Sequence, residues 1–146
     1  MEESLNKFST TYSHCGEIVA IKILAIPADH AGVRFLTDFN MPLQVGIMLR
    51  DETTPVQRHT HLKRTRNIEV TSEFIYVQEG KCNVSIECTN HSEIKTRFTL
   101  SKNEAALFLG NGIHQIQFLE PTKLLEIKQG PYDEKNDKRL ENHDSS

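Results

Sequence analysis

The stretch EFIYVQEGKCNVSIEC, Glu73 to Cys88, leaves a chain of this kind little choice but a sheet. After Glu79-Gly80, Cys82, Val84, Ile86 and Cys88 alternate with Asn83, Ser85 and Glu87. A period of two places the first set on one face of a strand and the second on the other. Gly80 suits the left-handed backbone of a tight turn, which a residue with Cβ resists. The segment therefore reads as a hairpin with one dry and one wet face. Similar short segments recur between turn residues: Ile18 to Ala25, Val33 to Leu36, Leu43 to Leu49, Val56 to His61, Phe74 to Gln78, Cys82 to Cys88, Lys95 to Leu100, Ala105 to Leu109, His114 to Phe118 and Lys123 to Lys128. No stretch carries helical periodicity, and no internal repeat is present. The expectation is an all-β chain, with its short strands closed into a barrel or jelly roll.

The chain has 146 residues, a net charge of −3 and a hydrophobic fraction of 37%, which suits one domain with one core. Residues 1–16 read as an N-terminal segment, 17–131 as the β-barrel and 132–146 as a charged tail with little to bury. The start MEESLNKFST lacks the basic, apolar pattern of a signal peptide, so a cytoplasmic location is expected. IVAIKILAI, interrupted by Lys22, is too short to span a bilayer and reads as a buried strand, so no membrane partner is expected. Cys15, Cys82 and Cys88 are odd in number and lack CxxC spacing, which argues against a disulfide framework and a zinc finger. The near-neutral charge gives no concentrated basic face for nucleic acid.

Seven histidines among 146 residues make His-x-His pairs common, with about one third of a pair expected by chance. On a strand, however, His59 and His61 share a side and can reach one cation together. Glu73 opens the next strand and can bring a carboxylate to the same cavity. In FLGNGIHQIQF, Gly110 to Gly112 make a turn, and His114 begins a strand whose Ile116 and Phe118 share its face. Three imidazoles and a carboxylate would fill four positions around a divalent ion and leave room for substrate. The competing reading makes His59 and His61 exposed edge-strand residues and His114 a hydrogen-bonded core histidine. His14, His30, His91 and His143 fall in expected loops or tails and receive no role.

These residues resemble the cupin superfamily, in which His-x-His, a spacer, Glu and a later Gly form one motif and a turn ending in His forms the second. The matching elements are HTH, EFIYVQEG and GNGIH. The flanking segments GVRFLTDFNMPLQVGIM and LLEIKQGPYDEKNDKRL, KQGPY above all, are similar to a subgroup of small single-domain bacterial cupins found among genes for surface polysaccharide and unusual sugar synthesis. The resemblance implies a cupin-type jelly-roll β-barrel and a divalent ion (Fe, Mn, Zn or Ni) on His59, His61, Glu73 and His114. Two departures stand out. Eleven residues separate His61 from Glu73, longer than the general spacer but similar to the subgroup, and Asn103-Glu104 replaces the usual Gly-Asp while the second motif's proline is absent.

The expected activity is metal-dependent chemistry on a small polar or anionic substrate, such as sugar isomerisation or epimerisation, with Glu73 as the catalytic proton-handling group. A second reading is an Fe(II) dioxygenase and a third a binding or sensing module without turnover. Lys63, Arg64 and Arg66 follow His61 in the enlarged loop and are candidates for attracting an anionic or sugar-like substrate. Tyr76 should point away from the cavity. Phe74 and Tyr76, read as outward apolar residues, suggest a covered sheet and hence a homodimer, with IVAIKILA as the strand best suited to pairing or exchange.

Overall fold

The computed structural model describes residues 2–6, 8–25, 32–110 and 112–140, and for 2–6 and 92–94 the backbone alone. Eleven strands run β1 (Glu2–Asn6), β2 (Ser9–His14), β3 (Glu17–Ile23), β4 (Gly32–Phe35), β5 (Gly46–Leu49), β6 (Glu73–Glu79), β7 (Lys81–Cys88), β8 (His91–Ser101), β9 (Ala105–Phe108), β10 (Gly112–Phe118) and β11 (Lys123–Lys128). No helix occurs among the described residues, so none is long and apolar enough to cross a membrane. The all-β expectation holds.

The strands form three antiparallel sheets: six strands in the order β1-β2-β3-β9-β6-β11, three in the order β10-β7-β8, and the pair β4-β5. The alternation of β7 explains how the first two meet. Cys82, Val84, Ile86 and Cys88 are all buried, and Cys82, Val84, Ile86 and Leu100 pack on Tyr12, Ala20, Ile75, Val77, Ala106 and Phe108 of the larger sheet. The opposite face of that sheet carries a second core of Phe8, Ile21, Ile23, Ala105 and Leu107, covered by Leu36 and Ile47 from the β4–β5 region. Both faces of the six-stranded sheet thus carry an apolar core along its middle strands, while Leu125 and Ile127 of β11 stay exposed. Phe74 and Tyr76 lie against this second core, half-buried, so they cover the sheet within the chain and are not an outward surface. Tyr76 does point away from the β7 side, and its hydroxyl donates to Asn103 Oδ1 at 2.9 Å.

Turn chemistry follows the residues. Gly80 has φ +86° between β6 and β7, as the hairpin requires. Asn103 adopts φ 70°. Asparagine tolerates that region better than other residues with Cβ. Glu104 Oε2 then accepts the Ser101 amide at 2.8 Å, so Asn103-Glu104 closes the turn.

Two strand expectations are corrected. Val56 to His61 forms no strand, because every residue from Met48 to Val70 is exposed and the apolar positions there have no layer to pack on. Residues 1–16, read as a segment preceding the barrel, contain β1 and β2, which join the large sheet. Their polar composition hides them: Ser9 and Thr11 are buried beside Tyr12.

His14, expected in a loop, ends β2 and is 3% exposed. Its Nε2 shares a hydrogen bond with Thr96 Oγ1 at 2.8 Å, and its Nδ1 is buried with no partner among the described residues. Burial pushes its pKa below the usual 6.5, since a charged imidazole loses hydration there. The unfolded chain therefore binds the proton more readily. The stabilisation is whole above pH 6.5 and is lost as pH falls from there through the lower folded value. We expect the urea midpoint of the wild type to fall between pH 7 and about 5, and His14→Gln to flatten that slope. Equal slopes would remove His14 as the cause.

None of the three cysteines forms a disulfide: Cys15 is exposed, Cys82 and Cys88 are buried, and burial pushes the Cys82 thiol up, which keeps it from ionising.

Candidate functional site

One row of side chains crosses the six-stranded sheet on the face turned toward β7. Strand register places Tyr12 opposite Ala20, Ala20 opposite Phe108, Phe108 opposite Glu73 and Glu73 opposite Lys128. Residues directly opposite in antiparallel pairs share a face, so the row runs from buried apolar groups at β2 to charged ones at β11. Glu73 stands at its turning point, with a side chain 23% exposed.

His114 reaches the same place from the facing sheet. It lies opposite Ile86 on β10, and so shares the inner face with Ile116 and Phe118, as its alternation suggested. Its ring stacks on Phe108, with centroids 4.3 Å apart and planes 3° from parallel. Nε2 lies 3.9 Å from Glu73 Oε2. That separation exceeds a hydrogen bond, and an ion pair would exist only with a protonated imidazole. Carboxylate and imidazole therefore stand side by side, both partly exposed at the edge of the core, each able to exchange a proton with a third group.

The end of β11 frames Glu73. Leu124, Glu126 and Lys128 alternate onto the inner face opposite Val77, Ile75 and Glu73. Lys128 Nζ pairs with Glu126 Oε1 at 3.0 Å and lies 4.8 Å from the centroid of the Tyr132 ring. The hydrogen bond to Glu126 holds the ammonium above the usual lysine range, with lesser help from the Glu73 and Tyr132 charges. Gln129 Oε1 accepts the Ser72 amide at 2.6 Å, which ties the KQGPY segment to the residue before Glu73. Sequence reading marked KQGPY only as a resemblance and gave Lys128, Glu126 and Tyr132 no role. Their signal was the inward parity of Glu126 and Lys128. Phe108 was also missed, because an apolar residue in an apolar strand carries no sign that it faces an imidazole.

His59 and His61 stand elsewhere. Both are exposed in the unpaired segment between β5 and β6. His59 Nδ1 is 2.8 Å from its near neighbour Gln57 O, and the two rings meet edge to face with centroids 5.3 Å apart. Lys63, Arg64 and Arg66 are exposed in the same segment. The four expected ligands thus form two pairs, Glu73 with His114 and His59 with His61. As placed, they do not fit around one ion: among the described residues no three His, Cys, Asp or Glu side chains make a group able to hold a metal. No known protein family, curated protein or solved structure matches this chain.

Proposed function

We propose that the chain is a cupin-type jelly-roll protein that binds a divalent metal ion and acts on a small polar or anionic substrate, as a sugar isomerase or epimerase does. The observation that supports this reading is the meeting of Glu73 and His114, far apart in sequence, on the inner faces of two packed sheets. A single ion-binding group needs more donors than this pair, and His59 and His61 are the proposed remainder. The proton chemistry belongs to the chain itself. For a carbonyl substrate beside the pair, Glu73 Oε2 would take a proton from the adjacent carbon, and His114 Nε2 would hold or return one. Lys128 and the Lys63, Arg64 and Arg66 run are the cations available to an anionic substituent.

A homodimer belongs to the same reading, and the exposed outer residues Val33, Phe35 and Met48 of the β4–β5 pair support it.

Metal content of protein purified without added metal, followed by zinc(II) titration, tests the proposal. We expect a bound divalent ion, and an affinity lower by about 100-fold or more in His114→Gln and in Glu73→Gln, with near-wild-type circular dichroism. A wild-type chain that takes up no metal at millimolar concentration removes the metal-binding reading. Metal and ligand bound without turnover would point to a sensing or carrying module.

A further inference from the structure

The fold leaves a free strand edge and a free arm. β10 is an outer strand of its sheet, paired on one side with β7 and on the other with nothing among the described residues. It has seven residues and no proline or lysine, the usual guards of an edge. The arm is the segment after β5. Among the described residues, its backbone–backbone bonds between residues 50 and 70 are limited to the turn in which Thr54 N donates to Asp51 O. Val56, Leu62 and Ile68 are exposed along it. Had the arm folded onto its own domain, alternate residues would be half-buried, yet none is. The chain has not taken up its own arm although its own edge is open.

We infer that the arm works between two copies: residues 55–61 of one chain add as a strand to the β10 edge of a second, which places His59 and His61 beside the second chain's Glu73 and His114. The inference rests on the metal reading for its purpose, and on the arm and edge for its geometry.

Three physical arguments carry it. Parity agrees, since Gln57, His59 and His61 share one side of an extended segment, and the inner side of β10 is that of His114, Ile116 and Phe118. Reach agrees: at about 3.3 Å per residue, an arm of about 21 residues folded at its middle extends roughly 35 Å, beyond the radius of gyration of about 15 Å expected for a domain this size. Symmetry closes the exchange, because each copy offers one arm and one edge, and a two-fold axis satisfies both. Main-chain hydrogen bonds along the edge supply affinity and the inward side chains specificity.

A mixing experiment tests this. His59→Ala/His61→Ala chains and Glu73→Ala/His114→Ala chains are co-refolded in equal amounts and titrated with zinc(II). Each parent alone should bind less than about a tenth of the wild-type zinc. Random pairing makes about half of the dimers mixed, each with one whole site of two, so the mixture should recover about a quarter of the wild-type zinc. A mixture as empty as its parents, beside a wild type that binds fully, shows that each arm serves its own chain; the exchange is then wrong and the metal reading stands. Strong zinc binding by either parent also overturns the exchange. Should the wild type bind no zinc, the metal reading fails and mass decides the rest. Replacing residues 56–62 by glycine and serine at equal length turns a dimer into a monomer if the arm joins the copies, whereas a persisting dimer or a monomeric wild type overturns it.

Discussion

Gly80→Val is expected to cost about 3 to 5 kcal/mol, a fall in melting temperature of roughly 10 °C or more for a chain of this size. Two causes add. The backbone at Gly80 has φ +86°, where a β-branched residue is strained. A Cβ there would also press on Pro121 O and stand 2.6 Å from Thr122 Oγ1 and 2.7 Å from Thr122 Cα. The crowding atoms are mostly backbone, and Thr122 is itself tied to Lys81 N and O at 3.1 Å, so the β10–β11 connection would have to shift. Gly80→Asn separates the causes, because asparagine tolerates the dihedral but not the contact. Urea unfolding followed by circular dichroism should place Asn between glycine and valine. A valine variant within 1 kcal/mol of wild type would show that the turn yields easily.

Phe108→Ala should be as damaging, by about 3 to 5 kcal/mol, because a side chain 2% exposed at the centre of the larger core leaves a cavity. Its further effect falls on the site. Phe108 lies opposite Glu73 in the sheet and its ring carries the His114 imidazole. Phe108→Leu keeps most of the volume, with an expected cost under about 1.5 kcal/mol, but removes the flat surface. The leucine variant should therefore fold while its His114 ring resonances broaden or shift, and bound zinc should weaken about tenfold if the ion sits there as proposed. Unchanged resonances together with unchanged zinc affinity would mean that stacking does not orient His114.

The legible parts of this chain were those in which neighbouring residues alone decide the outcome. The alternation after Gly80 set β7 and its buried face, and the order of Gly112, His114, Ile116 and Phe118 set the side on which His114 stands. β2 was not legible, since Ser9 and Thr11 look wet in isolation and become buried only under the rest of the sheet. The segment from Val56 to His61 failed for the opposite reason. It alternates like a strand, but a strand also needs a neighbour to bond with, and sequence periodicity cannot supply one. The candidate site divides along the same line. Glu73 and His114 lie on strands whose parity could be read, whereas Lys128 and Phe108 join them only through cross-strand register.

The row from Tyr12 to Lys128 also sets a gradient of solvation through the molecule. The Glu73 carboxylate has hydrocarbon on its Phe108 side and hydrated charge on its Lys128 side, so its immediate medium is unlike on its two flanks. Ala20, two strands away and fully buried, is the spacer that sets how far Phe108 stands forward. An added methyl group there would travel through close packing to the imidazole. The meeting of Glu73 and His114 can thus be repositioned from the hydrocarbon interior without touching a single polar atom.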